Sequence, residues 1–356
     1  MSTEPKDANI AAADMATFTI DANIIEAING DFLSKVLKIN LQGGPTDPLD
    51  YISARKWLET DYRPLPKTPL PTKTARETVS VDIQNVTVTY NETESFNVRV
   101  YQPQTNGLRP AILAYHGGGW IHGYSELEDD ALSFLASETR AVIFGVDYRL
   151  APEYPFPVPH NDSYEALNFV TKNSAAYNVD PARIGLWGCS AGGNLAASVA
   201  LRDAQEHETT RICHASLLVP AVCPPSEQPP ALQVPTASFP FFNAQTTNPF
   251  ILQRGQDLWE VYAGDKKNLS HKYFAPLLAA PPANHCPLHI VVAGVDVLRD
   301  EGIAYAMQYR DAGIDTQLEI VPGAPHGLLV ANTAWVSRQF WTNQVRVLNA
   351  ALHTSF

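Results

Sequence analysis

An α/β architecture, a mostly parallel central sheet flanked by helices, is what this sequence predicts, and three observations predict it. Short apolar runs alternate with helix-forming segments over most of the chain. Ahead of them lies a stretch in which apolar residues recur every second position, the mark of antiparallel strands. The 356 residues are 45% apolar and only 17% charged, so the chain is globular and long enough to bury a large core.

The first dozen residues are small and polar and read as a loose arm. From about Asn23 the spacing of Ile25, Ile28, Phe32, Val36 and Ile39 defines one apolar helical stripe, and a second short helix includes Ile52 and Trp57. Pro64, Pro66, Pro69 and Pro71 then forbid helix propagation, giving an extended strap and a boundary near residue 75. Beyond it Val79, Val81 and Ile83, then Val86, Val88 and Tyr90, then Phe96, Val98 and Val100 alternate with polar residues as antiparallel edge strands.

Six apolar runs follow: Ala111 to Tyr115, Ala141 to Val146, Ile184 to Trp187, Ser216 to Val219, Leu288 to Ala293 and Thr316 to Val321. Helices are expected at Leu127 to Ser137, Asn161 to Thr171, Ala191 to Leu201, Glu301 to Ala312 and Ala334 to Leu352. Such alternation means a largely parallel sheet with helices on both faces. Residues 221–284 break the rhythm. They hold many of the 28 prolines, with Phe239, Phe241, Phe242, Phe250, Trp259, Tyr262, Tyr273 and Phe274, more aromatics than a solvated loop would carry. They read as a cap inserted over the C-terminal edge of the sheet, packed by the N-terminal helices. The expected division is therefore 1–75 arm and cap helices, 76–220 core, 221–284 cap insertion and 285–356 core.

Composition removes several function classes. With 37 acidic against 25 basic residues the net charge is -12, which disfavours nucleic acid and anionic membrane surfaces as partners. No apolar run approaches the roughly 18 residues of a membrane span. The N-terminus, with Glu4 and Asp7, does not read as a secretory signal, and the C-terminus matches no known address. Cys189, Cys213, Cys223 and Cys286 are widely spaced, which disfavours a disulfide framework and a zinc site. A cytoplasmic, reduced protein is the expectation.

Gly188-Cys189-Ser190-Ala191-Gly192 fits G-x-S-x-G between an apolar strand and a helix-forming run. A sharp elbow there strains the serine backbone and thrusts its hydroxyl out of the sheet, while the flanking glycines let strand and helix approach. His116-Gly117-Gly118-Gly119-Trp120 follows the strand at 111–115, where consecutive glycines can turn N–H groups inward as an oxyanion hole. A phosphate loop would need a Gly-Lys-Ser/Thr ending or G-x-G-x-x-G spacing, and neither is present.

A serine hydroxyl is a poor nucleophile without an imidazole to take its proton, and the imidazole needs a carboxylate to fix its tautomer. Among ten histidines, His326 lies just past the strand ending at Val321, on the edge where functional residues of parallel sheets gather. His271, His285 and His289 lack that placement. Asp296 follows the strand at 288–293 on the same edge, whereas Asp300 and Glu301 are placed to cap and charge the next helix. The chain order Ser190, Asp296, His326 differs from those of chymotrypsin and subtilisin.

Together HGGGW at 116–120, DYRLAPEYPFP at 147–157, GCSAGGN at 188–194, DVLRDE at 296–301 and HG at 326–327 resemble the hormone-sensitive-lipase-like esterases, the alpha/beta hydrolase fold-3 group. The resemblance spans roughly residues 80–350 and implies an alpha/beta-hydrolase fold. It also implies a Ser-His-Asp triad in which Asp296 takes precedence over Asp300. Oxyanion donors map to the N–H groups of Gly118, Gly119 and Ala191, and Tyr148, Arg149 and Glu153 to scaffold. One departure stands out: many members carry an acid just before the nucleophile, where this chain has Cys189. With Ser190 facing the site, Cys189 faces the core as a small apolar group.

The implied activity is that of a serine carboxylesterase on short- to medium-chain or small hydrophobic esters, with Trp120, Phe241 and Phe242 against the substrate. No metal or organic cofactor is required. Two alternatives keep the same motifs: an acyltransferase, thioesterase-like enzyme or amidase, and a non-catalytic ligand receptor, against which the presence of His326 argues. The arm and cap either pack within one chain or support a homodimer.

Overall fold

The computed structural model describes residues 79–229, 258–294, 296–322, 324, 326 and 335–353. The arm, the helices expected near 25–39 and 52–57 and the proline strap lie outside these residues. So do Phe239, Phe241, Phe242 and Phe250 of the expected cap.

Among the described residues eight strands form one sheet: β1 (Val81–Tyr90), β2 (Glu94–Pro103), β3 (Arg109–Tyr115), β4 (Val142–Asp147), β5 (Val179–Cys189), β6 (His214–Leu218), β7 (Leu288–Ala293) and β8 (Thr316–Val321). Their order across the sheet is β1-β2-β4-β3-β5-β6-β7-β8. β2 runs antiparallel to both β1 and β4, and every later pair is parallel. Among the described residues five helices flank the sheet: α1 (Asp129–Thr139), α2 (Val158–Lys172), α3 (Ala191–Glu206), α4 (Arg299–Asp311) and α5 (Trp335–His353).

The strand period of two divides the core. Ala111, Leu113 and Tyr115 of β3 join the cluster under α2, α3 and α4, while Ile112 and Ala114 join the cluster under α1 and α5. Because both faces are covered, β3, β6 and β7 are buried along their whole length and read as largely apolar runs, broken only by Arg109, His214, Ser216 and His289.

Two sequence expectations need correction. Only β1 is an edge strand at this end, since β2 is hydrogen-bonded on both sides. Within β1 the inward parity belongs to Val86, Val88 and Tyr90, so Ile83 falls on the opposite face and is 40% exposed. An apolar residue on an edge strand gives no information about which side is covered.

The described part of the 221–284 stretch packs on the C-terminal edge of the sheet. A helical segment through 258–263 brings Trp259 and Tyr262 against Trp120, just beyond β3, and Tyr262 stacks on Phe274 at 4.9 Å. Asn194 and Ser198 of α3 hold the returning chain, Asn194 donating to Ala221 O and Phe274 O at 2.8 and 2.9 Å and Ser198 to Tyr273 O at 2.6 Å. These are buried polar side chains whose hydrogen bonds offset their desolvation. No helix among the described residues is long and apolar enough to cross a membrane.

Candidate functional site

Strained backbone collects at the C-terminal edge. Trp120, Ser190 and Val219, just past β3, β5 and β6, have φ of 62°, 57° and 40°, values side-chain-bearing residues avoid. At Ser190 the pairing of β5 with β6 persists up to the turn, its N–H donating to Leu218 O at 2.8 Å, and α3 begins at the next residue. The turn needs small residues at its corners. A Cβ on Gly192 would overlap the Tyr115 carbonyl oxygen, and one on Gly188 would overlap the carbonyl of Gly192.

Ser190, Asp296 and His326, with 136 residues of chain between the first and the last and 30 between the last two, meet at this edge. Ser190 Oγ lies 2.8 Å from His326 Nε2, and His326 Nδ1 lies 2.8 Å from Asp296 Oδ2. The other Asp296 oxygen accepts the Leu298 N–H at 3.0 Å, so both carboxylate oxygens are held. A carboxylate only accepts, so Nδ1 of His326 carries the hydrogen and Nε2 is free to take the serine proton. Burial works against a charged His326 ring, but the Asp296 charge and hydrogen bond outweigh it and raise the imidazole above its ordinary value.

The rival groups are engaged elsewhere. Asp300 lies on the protein surface and pairs with Arg299 at 2.8 Å. Burial pushes His285 down to about 4, its ring meets Cys286 O, and His289 pairs with Glu319 at 3.3 Å. His271 packs on Phe156. Burial raises the Cys189 thiol well above its ordinary value, which leaves it protonated and inert beside Ser190.

The loop after β3 sits against the elbow: a Cβ on Gly117 would lie 3.3 Å from Cys189 O and 3.8 Å from Ser190 Cβ. Its carbonyls are fastened from behind. Gly117 O meets His116 Nδ1 at 2.8 Å, and Gly118 O accepts the N–H groups of Ile121 and His122, both at 3.2 Å. A carbonyl and the next N–H point in opposite directions across a trans peptide. Pinning those two oxygens therefore turns the N–H groups of Gly118 and Gly119 the other way. Ala191 opens α3, where the N–H lacks an intrahelical acceptor and the helix dipole favours negative charge. Among the described residues none of these three N–H groups has an acceptor.

Trp120 differs from expectation. It is 2% exposed and stacks on Tyr262 at 4.4 Å, with Trp259 at 4.6 Å, so its ring faces protein. A sequence shows that an aromatic follows the glycines but not which way the strained turn aims it. Phe241 and Phe242 lie outside the described residues. Leu258, which the sequence did not single out, approaches the loop instead: a Cβ on Gly119 would meet its Cδ1 at 3.2 Å.

Two buried acids also escaped the sequence reading. Glu301, expected to charge the start of α4, accepts the Val222 and Cys223 N–H groups at 2.7 and 3.3 Å and the Gln228 amide at 2.8 Å. Burial, only partly opposed by those N–H groups, pushes it up to about 8. Glu128 has Oε2 sealed from solvent, and burial pushes its carboxyl up to about 7. Tyr148 and Arg149 behave as scaffold, Tyr148 stacking on His116 and Arg149 pairing with Asp162 at 2.8 Å. Among the described residues no three His, Cys, Asp or Glu side chains gather as a metal site.

Comparison with known proteins gives a consistent picture. A family model described as alpha/beta hydrolase fold matches residues 112–330. The chain is 32% identical over 250 residues to carboxylesterase NlhH of Mycobacterium tuberculosis, covering 69% of this chain and 75% of that one. It is 29% identical to an ethyl acetate hydrolase of Pseudomonas putida, covering 69% and 76%. The crystal structure of EstE1, a thermostable carboxylesterase cloned from a metagenomic library, superposes with a TM-score of 0.70 at 29% identity, covering 79% of this chain and 92% of that one.

Proposed function

The chain belongs to the alpha/beta hydrolase fold-3 family, and on that premise we propose that it is a serine carboxylesterase acting on short- to medium-chain or small hydrophobic esters. The observation that carries the reading is the unbroken relay from Ser190 Oγ through His326 to Asp296, with both contacts at 2.8 Å.

In this reading His326 Nε2 takes the Ser190 proton as Oγ attacks the ester carbonyl. The tetrahedral oxyanion is stabilised by the N–H groups of Gly118, Gly119 and Ala191, donors of a kind worth about 10²- to 10³-fold each in kcat. His326 then protonates the departing alcohol. Water, deprotonated by the same ring, cleaves the acyl-enzyme and returns Ser190. Asp296 stays ionised throughout and stabilises the imidazolium. Every proton has a place, so the cycle calls for no metal or organic cofactor.

The substrate class is supported by apolar surroundings. Leu258 faces Gly119, and the Trp120, Tyr262 and Trp259 stack closes the loop from beneath. An ethyl acetate hydrolase among the relatives agrees with a small acyl group. We read 221–284, with 1–75, as the cap over a core of 76–220 and 285–356. Four free cysteines fit a reducing compartment such as the cytoplasm.

The test is hydrolysis of p-nitrophenyl esters from acetate to palmitate, with Ser190→Ala beside the wild type. Serine-dependent turnover peaking at short or medium chains is expected. Turnover unchanged in Ser190→Ala removes the nucleophile, and none in folded wild type removes the esterase reading.

A further inference from the structure

We propose that Glu301 is a positioning residue for the nucleophile turn. Its carboxyl clamps the Val222 and Cys223 N–H groups to the start of α4, so that the neighbouring Ala221 N–H holds the Ser190 carbonyl and the Ala191 N–H is aimed at the reacting ester. The inference rests on the esterase reading above and adds to it a residue outside the triad and the oxyanion donors.

Glu301 lies in the first turn of α4, where an exposed acid would already complement the helix dipole. Here the side chain is buried and reaches off the helix instead. Oε1 accepts the Val222 N–H at 2.7 Å and the Cys223 N–H at 3.3 Å, and Oε2 accepts the Gln228 amide at 2.8 Å. All three partners lie on the chain that leaves β6. The close approach is built into the packing: a Cβ on Gly302 would meet Val292 Cγ1 at 2.7 Å and come within 3.8 Å of Pro220 Cδ. A helix dipole has no need of so costly a placement for a carboxyl group.

The chain that Glu301 holds passes directly behind Ser190. Val219, at a φ of 40°, donates its N–H to Val291 O at 2.7 Å, and the Ala221 N–H donates to Ser190 O at 3.3 Å. The peptide joining Ala221 to Val222 is held at both ends by buried side chains, Asn194 Nδ2 donating to its oxygen at 2.8 Å and Glu301 taking its N–H. The next peptide is held the same way, the Leu277 N–H donating to Val222 O at 3.1 Å and Glu301 taking the Cys223 N–H. Ser190 O also accepts the Asn194 N–H at 3.0 Å. With its oxygen fixed on that side, the peptide joining Ser190 to Ala191 turns its N–H the opposite way, towards the oxyanion. At 3.3 Å the Ala221 bond has little length to spare, so a small drift of 221–223 loses it. At its other end the strut starts from the helix beside the acid, where the Arg299 N–H donates to Asp296 O at 3.2 Å. An oxyanion hole works by pre-set orientation, so freeing this segment lowers the rate of the chemical step more than substrate affinity.

The experiment compares Glu301→Met, which fills the space without an acceptor, with Glu301→Gln, whose amide oxygen still takes the Val222 and Cys223 N–H groups. Both are assayed on p-nitrophenyl acetate beside wild type and Ser190→Ala, with rates expressed per reactive serine counted by fluorophosphonate labelling. Expected is a fall in kcat of about 10- to 100-fold in Glu301→Met with KM within about twofold, and kcat within about threefold of wild type in Glu301→Gln. The proposal is overturned by folded Glu301→Met with unchanged kcat, by a loss expressed mainly in KM, or by equal losses in both variants. Should Glu301→Met not fold, Glu301→Asp takes its place, a carboxyl one methylene too short for the Val222 N–H. A fall in kcat at constant KM then supports the strut, and unchanged kcat overturns it. Failure of both to fold assigns Glu301 to folding alone and overturns the positioning role. An active wild type with indifferent Glu301 variants leaves the esterase reading standing, whereas an inactive wild type removes the reading itself.

Discussion

Asp296 accepts the Nδ1 hydrogen of His326 at 2.8 Å from a side chain wholly sealed from solvent, while the His326 side chain is 41% exposed. The carboxylate is thus fixed and the ring is the part of the pair that reaches solvent. The pairing requires one ring nitrogen to donate and leaves the other to accept, so geometry alone sets the tautomer a general base needs.

Replacing that carboxylate separates it from its neighbour in sequence. Asp296→Asn is expected to lower kcat by roughly 10³- to 10⁴-fold, because an amide no longer enforces the tautomer or stabilises the imidazolium. Asp300→Asn, which removes a surface pairing with Arg299, is expected to stay within about threefold of wild type. Steady-state kinetics of the two variants decide it, and the reverse order would reassign the acid.

The pH dependence follows from the sign of the His326 shift. The ring acts as base only when neutral, and its folded value lies above the ordinary 6.5. The acid limb of kcat/KM is therefore expected above pH 6.5, with rate rising as pH rises through it. In Asp296→Asn the two influences that raise the ring are gone and burial remains, so the residual activity should show its limb at lower pH. A limb that stays put would detach it from this pair.

Gly118 holds φ at 122°, and a Cβ there would overlap the His122 carbonyl oxygen. Gly118→Ala must move the loop, so kcat is expected to fall at least about tenfold from misplaced donors. Strain of about 1–3 kcal/mol should also lower the unfolding midpoint. A variant with wild-type kcat would show that this peptide is not among the oxyanion donors.

Glu301 links the segment entering the cap to the helix that follows Asp296. Its folded value of about 8 exceeds the ordinary 4.5, so between those pH values the unfolded chain has lost a proton that the folded chain retains. Stability attributable to it is present at low pH and lost as pH rises. Urea unfolding at pH 5 and pH 8 should show wild type losing on the order of 1–3 kcal/mol more than Glu301→Gln across that range. Parallel losses in the two proteins would rule the group out.

Much of this was legible in the residues because it depends on local rules. Strand runs, helix stripes, the glycines of the elbow and the chain order Ser190, Asp296, His326 are each set by neighbours a few positions apart. The failures share a cause. Ile83 fits an alternating strand but faces solvent, since parity does not say which side is covered. Glu301 has the placement of a helix charge yet reaches back to Val222, 79 residues away. Trp120 follows a glycine run that turns it into an aromatic stack supplied by residues 259 and 262.

The sequence by itself determined the α/β alternation, the elbow and which serine, histidine and aspartate belong together, because backbone sterics and side-chain chemistry act at fixed spacing. Only the tertiary structure decided the two 2.8 Å contacts of His326, the direction of the Gly118 and Gly119 N–H groups and the burial of Glu128 and Glu301. Those depend on how far distant segments approach and how much water they exclude. Hydrogen bonding and charge are governed by distance in space and local dielectric, and neither is written in the order of residues.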